Sequence, residues 1–178
     1  SGTRVRADAN NLWDNADQAV DYLQGLGYAF VALEEPLGRG QLQGCSILSA
    51  RLGIPIILDE SFSRLEDFKA ISPLPGEWVV NLRVSKMGGL LRSLEIAAEA
   101  GRRGVGLVIG AQVGETSLLT RAALTVAGTC RDNLRAPEGA FGTRLLERDL
   151  LDPPIEFGAA GILRAEEAVA ARKFLTDC

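Results

Sequence analysis

The chain has 178 residues, of which 47% are hydrophobic and 24% are charged, and this composition suits one globular domain with a sizeable core. Its formal net charge is −4 and its lysine and arginine residues are scattered, so the composition does not favour binding to nucleic acid or to an anionic membrane. The sequence contains no histidine, which excludes a histidine general base, a Ser-His-Asp triad and a histidine-ligated zinc site.

Short apolar segments alternate with helical segments from the start of the chain to about residue 128. Strands are predicted, in chain order, at RVRAD (4–8), FVALE (30–34), IPIIL (54–58), WVVNLRV (78–84) and GLVIGA (106–111). Helices are predicted near residues 14–26, 41–52, 65–71, 90–100 and 117–126. Asp14 is the candidate N-cap of the first helix, and glycine or proline residues end the helices.

The strands are continuous apolar runs, which is typical of parallel strands that helices cover on both faces. One strand and one helix recur every 25 to 28 residues or so, and two α/β architectures fit this repeat, a (β/α) barrel and a doubly wound sheet. Functional residues at the ends of several strands favour the barrel. We therefore expect a partial (β/α) TIM-type barrel of five or six parallel strands with helices outside.

The repeat stops after Gly128, where the sequence becomes rich in glycine, proline and arginine. A short helix is predicted near residues 143–150 and a last helix at 165–175. We interpret residues 1–128 as the partial barrel and residues 129–178 as an irregular C-terminal extension that packs on the same core.

Three acidic residues end the first three apolar runs at nearly equal intervals. Asp8, Glu34 and Asp59 are 26 and 25 residues apart. Because the carboxyl ends of parallel strands lie at one edge of a sheet, the three carboxylates are expected to converge there. Converging carboxylates repel each other unless a cation lies between them, and hard divalent cations prefer oxygen ligands. The spacing therefore predicts a divalent metal site.

A plainer interpretation of each acid is also open, as a helix cap or as the partner of a nearby arginine. It accounts for any one of the three more easily than for all three at matched spacing. Two of the acids have an acidic neighbour, Glu35 and Glu60, whose side chains are expected to point to the opposite face and to form ion pairs around the site.

The strand ends carry the strings DAN (8–10), LEEP (33–36), LDES (58–61), NLRVSKMGG (81–89) and GAQVGETS (110–117). These strings, the last of them less closely, are similar to motifs of the enolase superfamily, in its muconate-lactonizing and mandelate-racemase branch. The segment EGAFGTRLLERDLLDPPIEFG (138–158) also resembles the C-terminal part of that family. The resemblance implies that Asp8, Glu34 and Asp59 bind one Mg²⁺, for which Mn²⁺ could substitute.

The chemistry that the resemblance implies is removal of a proton α to a carboxylate. The metal binds the carboxylate of a small substrate and stabilises the enediolate, and a basic side chain takes the proton. Racemases, epimerases, cycloisomerases, dehydratases and a synthase of the family share this step.

The sequence departs from the family pattern in two ways. It begins at what would be the third barrel strand, so that it matches strands three to seven and lacks the capping domain and the Lys-x-Lys strand. Arg83 also stands where the family has its second catalytic lysine. An arginine is a poor base because its pKa exceeds about 12. Arg83 is instead expected to bind a carboxylate or stabilise the enolate, or else to form a salt bridge with Asp59 or Glu60.

Three further residues are candidates for the site. Lys86 is either the base or a solvated loop lysine. Asn10 shares the face of Asp8 and is expected to contact the substrate. Glu115 follows the fifth strand and either orients the substrate or caps the helix that begins at Ser117.

A sheet of five or six barrel strands has two open edges, which invite pairing with another chain. We therefore expect that the chain forms a homo-oligomer or completes a barrel with another chain, that it is a fragment of a longer enzyme, or that residues 129–178 cover the open edge. Two functions remain open, a metal-dependent isomerase or lyase and a catalytically silent metal-binding half-barrel.

The cysteines lack metal-type spacing and no apolar run approaches about 18 residues, so a cytoplasmic protein with reduced thiols and no membrane span is expected. The cysteines are Cys45, Cys130 and Cys178.

Overall fold

Six parallel strands form one curled sheet in which the strand order follows the chain order. The computed structural model describes residues 3–71, 76–139, 142–159, 162–163 and 173–174. The strands are β1 (Arg6–Asp8), β2 (Ala32–Glu34), β3 (Ile56–Leu58), β4 (Trp78–Arg83), β5 (Gly106–Gly110) and β6 (Leu134–Pro137). The expected partial (β/α) barrel is confirmed, because helices connect consecutive parallel strands around the curled sheet.

Four α-helices link the strands. They are α1 (Ala16–Gly25), α2 (Leu42–Leu52), α3 (Leu90–Arg103) and α4 (Ser117–Thr129). The side chain of Asn15, not that of the expected Asp14, caps α1 by accepting a hydrogen bond from the backbone N–H of Gln18. No helix in the described part of the chain combines the length and apolarity that a membrane span requires.

The expected helix at 65–71 is a short 3₁₀ helix, Leu65–Lys69. The carboxylate of Asp67 accepts hydrogen bonds from the backbone N–H groups of Ser63 at 2.8 Å and Arg64 at 3.0 Å. These bonds close a single tight turn. The prolines that were expected to end this helix lie outside the described residues.

The two faces of the sheet carry different side chains. The outward face contributes Leu33, Ile56, Val80 and Leu107 to a core that it shares with the helices. The inward face carries a smaller apolar cluster of Ala32, Ile57, Val79 and Val108. Apolar residues on both faces explain the continuous apolar runs in the sequence.

The sheet continues beyond the point where the sequence repeat was expected to stop. Strand β6 follows residue 128 and pairs with β5. Its residues Leu134–Pro137 alternate between half-buried and exposed positions and include Arg135 and Pro137, so the segment lacks the apolar run that marks the other strands. The sheet itself extends to Pro137. The division of the chain into two segments at residue 128 remains a prediction.

The rest of the extension packs partly on α4. Its expected helix at 143–150 is absent, and a 3₁₀ turn at Gly142–Arg144 takes its place. Leu151 and Ile155 form a small buried cluster against Leu124 of α4. Strand β7 (Leu151–Asp152) pairs antiparallel with β8 (Lys173–Phe174). A helix was expected at 165–175, but the two residues of that range that the structure describes form strand β8. The remainder of that helix lies outside the described residues.

Two of the cysteines, Cys45 and Cys130, are free and buried, as the sequence suggested. Cys178 lies outside the described residues.

Candidate metal and carboxylate site

Two of the three acids lie directly opposite each other at the carboxyl edge of the sheet. Asp8 and Glu34 are register partners at the ends of β1 and β2, and Asp59 follows the last residue of β3. A cavity of about 590 Å³ opens at this edge, and Asp8, Glu34, Asn81 and Arg83 are among the residues that line it. The fold therefore brings Asp8 and Glu34 to one cavity together with Arg83.

The loop after β1 orients the carboxylate of Asp8. The backbone N–H of Asn10 donates a hydrogen bond of 2.9 Å to Asp8 Oδ1. Asn10 and Asn11 have φ angles of 47° and 60°, a left-handed conformation that asparagine tolerates better than most residues. Asn10 thus acts on Asp8 through its backbone, and its own side chain is exposed. A contact between Asn10 and a substrate remains a prediction.

Glu34 is a buried acid with one strong hydrogen-bond partner. Asn81 Nδ2 donates a hydrogen bond of 2.7 Å to Glu34 Oε1. Burial raises the pKa of Glu34, the hydrogen bond from Asn81 opposes that rise, and the nearby charge of Asp8 adds to it. A cation beside Asp8 and Glu34 would remove this electrostatic cost.

Asn81 is a site residue that the sequence analysis did not single out. It is 2% exposed, and its Oδ1 has no hydrogen-bond partner among the described residues. Its position depends on Gly110 of the next strand, because a Cβ there would collide with Asn81 Oδ1. The signal was a polar residue inside the otherwise apolar run of β4, which a single sequence gives little reason to connect with Glu34 of a distant strand.

Asp59 is held by two cationic side chains. Arg83 Nη2 contacts Asp59 Oδ2, and Lys86 Nζ lies 2.6 Å from Asp59 Oδ1. Asp59 is 3% exposed, so both ion pairs are shielded from water. Of the alternatives for Arg83, the salt bridge to Asp59 is present in the structure.

Arg83 and Lys86 differ in how firmly they are fixed. Lys86 Nζ also donates to the backbone carbonyl oxygens of Asp59 and Asn81, each at 2.8 Å. Arg83 Nη1 donates to the side chain of Gln112 at 2.9 Å, at the wall of the cavity. Lys86 therefore has three internal acceptors, whereas Arg83 borders open space.

The alternative of a solvated loop lysine is wrong for Lys86. Strand β4 ends at Arg83 and the chain turns immediately, which brings Lys86 round to the same carboxylate. Its side chain is only 14% exposed. Burial, together with the positive charge of Arg83, lowers the pKa of Lys86 to about 7.

Glu35 has a different role from the one expected for it. Its Oε1 accepts hydrogen bonds from the backbone N–H groups of Asp59 and Ser61, both at 2.7 Å, and its Oε2 accepts one from Ser61 Oγ at 3.0 Å. Ion pairs were expected here, but Glu35 is 1% exposed and faces the turn after β3. It fixes the backbone that carries Asp59. The neighbouring Glu60 is exposed.

The side chain of Glu115 binds a serine of the neighbouring loop. Its Oε1 accepts a hydrogen bond of 3.0 Å from Ser85 Oγ, which joins the loops after β4 and β5. At the start of α4, Asp149 Oδ2 accepts the bond from the backbone N–H of Ser117 at 2.8 Å, and a capping role for Glu115 remains a prediction. A substrate contact by Glu115 remains a prediction.

The donor set fits a divalent cation in part. Asp8 and Glu34 offer two carboxylates from neighbouring strands at one cavity, and oxygen ligands of this kind suit Mg²⁺ or Mn²⁺. The oxygens of Asp59 are occupied by Arg83 and Lys86, and no group of three acidic or cysteine side chains in the described ranges is arranged as a metal site. In a three-carboxylate site, the cation would compete with these two side chains for Asp59.

The sequence model of the family described as enolase C-terminal domain-like matches residues 1–167. Muconate cycloisomerase 1 of Pseudomonas putida is 31% identical over 157 residues, which are 86% of this chain and 40% of that protein. A solved structure of a probable mandelate racemase from Alicyclobacillus acidocaldarius has a TM-score of 0.76 at 26% identity, over 91% of this chain and 42% of that one.

A second solved structure is a dipeptide epimerase from Enterococcus faecalis in complex with Mg and the dipeptide L-Leu-L-Tyr. It has a TM-score of 0.75 at 25% identity, over 90% of this chain and 45% of that one. The chain therefore spans less than half the length of each of these relatives.

Proposed function

The chain belongs to the enolase superfamily, in the branch of the muconate-lactonizing enzymes and mandelate racemase, and we propose that it forms the cation-binding side of a site that removes a proton α to a carboxylate. Relatives named as epimerases, racemases and cycloisomerases support proton-abstraction chemistry in general. The finer assignment, to a small carboxylate substrate and a divalent cation, is our proposal. The complete activity would belong to a complete barrel.

The observation that carries the proposal is the pairing of Asp8 and Glu34 at the cavity. The two acids are register partners on neighbouring strands and line the same cavity, and Glu34 is 9% exposed with a raised pKa. We assign Asp8, Glu34 and Asp59 as ligands of Mg²⁺ or Mn²⁺, and the Mg in the dipeptide epimerase structure supports this choice. When bound, the cation would attract the substrate carboxylate and stabilise the negative charge that develops as the proton leaves.

The two cationic side chains have different roles in this proposal. Arg83 borders the cavity and would stabilise the carboxylate or enolate electrostatically. The pKa of Lys86, about 7, would suit a base. Its ammonium group, however, donates its three hydrogen bonds to Asp59 and Asn81. Lys86 would thus position Asp59, and the proton acceptor would come from outside the described residues that line this cavity.

A second candidate function is a catalytically silent metal-binding half-barrel that acts in oligomerisation or interaction. One observation favours it: both oxygens of Asp59 are neutralised within the chain. A structural ion-pair network explains that arrangement without catalysis.

Metal titration of the 178-residue chain tests the ligand assignment. We expect calorimetry with Mg²⁺ or Mn²⁺ to give one site, which Glu34→Gln and Asp59→Asn each weaken by about tenfold or more. Glu60→Gln is the matched control, because this acid lies beside Asp59 but is exposed. No binding by the wild type, or equal losses in Glu34→Gln and Glu60→Gln, would contradict the assignment.

Binding of small carboxylates beside the metal separates the two functions, because it does not depend on a proton acceptor from elsewhere in a complete barrel. A panel of small carboxylates is mixed with the Mn²⁺-loaded protein, and the broadening of their NMR signals by the paramagnetic ion is measured. Broadening that falls in Arg83→Met supports the proton-abstraction site. Metal binding with no more broadening than free Mn²⁺ causes supports the silent half-barrel.

A further inference from the structure

Asp59 has two ion-pair partners, and only one of them is free to leave. Lys86 is held by two backbone carbonyl oxygens in addition to Asp59 Oδ1, and its side chain is 14% exposed. Arg83 is 22% exposed and lines the cavity, and its one other partner among the described residues is the exposed Gln112. Its Nε is buried with no hydrogen-bond partner among the described residues. The contact between Arg83 and Asp59 is therefore the weaker restraint.

A guanidinium and a divalent cation that both bind Asp59 Oδ2 would repel each other. A metal–oxygen bond of about 2.1 Å would place the ion close to the Arg83 nitrogen that contacts the same oxygen, and the two positive charges repel in a shielded site. Movement of the arginine away from Asp59 relieves this repulsion. Rotation of Arg83 into the cavity would carry its unpaired Nε and its fork of N–H donors toward the space where a ligand carboxylate fits.

We propose that Arg83 and a divalent cation are alternative partners of Asp59, so that metal binding releases Arg83 to receive an anionic ligand. This inference rests on the proposed function, because it takes Asp59 as a ligand. Arg83 would then regulate metal binding at Asp59. Arg83 weakens metal binding when it contacts Asp59, and it becomes available to a carboxylate only after the metal has bound.

Metal affinity of charge-removing variants provides the main test. Arg83→Met keeps much of the side-chain volume and removes a positive charge that competes for Asp59, so we expect Mn²⁺ to bind about tenfold more tightly than to the wild type. Arg6→Met is the matched control, since Arg6 lines the same cavity and loses the same charge but contacts Glu138 rather than Asp59. We expect a much smaller gain in that control.

Three outcomes overturn the inference in different ways. An equal gain in Arg6→Met shows a general effect of charge and not competition at Asp59. No gain in Arg83→Met, while Glu34→Gln still weakens binding, overturns the inference and leaves the proposed function standing. No Mn²⁺ binding in any variant overturns both.

NMR of the arginine side chain tests the release in the wild-type protein, with variants used to assign the signal and as a comparison. The Arg83 Nε–H signal is identified by its loss in Arg83→Lys. We expect saturating Mg²⁺ to shift this signal in the wild type, and Asp59→Asn to shift it in the absence of metal. An Arg83 signal that stays unchanged on saturation with Mg²⁺ would contradict the proposal.

Discussion

At the scale of single residues, the acids at the strand ends serve different purposes. Glu34 lines the cavity, Asp59 is ion-paired, and Glu35 binds backbone N–H groups. The sequence placed all of them at the correct edge of the sheet, because strand ends can be read from apolar runs. The sequence could not show which partner each acid binds. Long side chains such as those of Arg83 and Lys86 can reach several acceptors, and only the folded strands bring these acceptors together.

Glu35 offers a direct test of backbone support for the site. Glu35→Ala would leave the N–H groups of Asp59 and Ser61 without their acceptor, and we expect it to lower the free energy of unfolding by about 1–3 kcal/mol. Glu35→Gln retains an acceptor oxygen at nearly the same volume and should lose much less. Urea denaturation of the two variants measures the difference, and equal losses would contradict this role.

At the scale of elements, the alternation within β4 links core and site. Val80 and Leu82 pack in the outer core, whereas Asn81 and Arg83 line the cavity. The apolar strands β2 to β5 could be predicted for this reason, because each buries side chains on both faces. Strand β6 could not, because Arg135 and Pro137 interrupt its apolar residues. The extension beyond it has no periodic pattern at all.

Gly142 tests how the extension is joined to the barrel. A Cβ at Gly142 would collide with the backbone carbonyl of Glu115, and a backbone atom cannot move aside cheaply. We expect Gly142→Ala to loosen the segment after residue 142 and to speed its cleavage in limited proteolysis. Gly128→Ala is the control, since a Cβ there has nothing within 4 Å and lies in helix α4. Equal proteolysis of the two variants would show that this contact does not hold the extension.

At the scale of the whole molecule, the two edges of the sheet approach each other across the cavity. Arg6 of β1 forms an ion pair with Glu138, which follows β6 directly. The two side chains are 33% and 36% exposed, so this pair contributes little to stability. This ion pair does little to protect the open edges of β1 and β6 from pairing with another chain. The edges of an apolar parallel sheet favour such association.

We therefore expect the isolated chain to self-associate or to bind a polypeptide that supplies further barrel strands. Light scattering across a concentration series should give a mass above that of one chain, rising with concentration. A constant monomer mass would contradict self-association. The approach of the two edges could not be predicted from the sequence, because it depends on the accumulated twist of six strands.

The most direct test of the account is anomalous diffraction from crystals grown with Mn²⁺. We expect one manganese peak within bonding distance of carboxylate oxygens of Asp8, Glu34 and Asp59, with the Arg83 guanidinium turned away from Asp59. A structure with no manganese at these three residues, and with Arg83 still bound to Asp59 at saturating Mn²⁺, would contradict it.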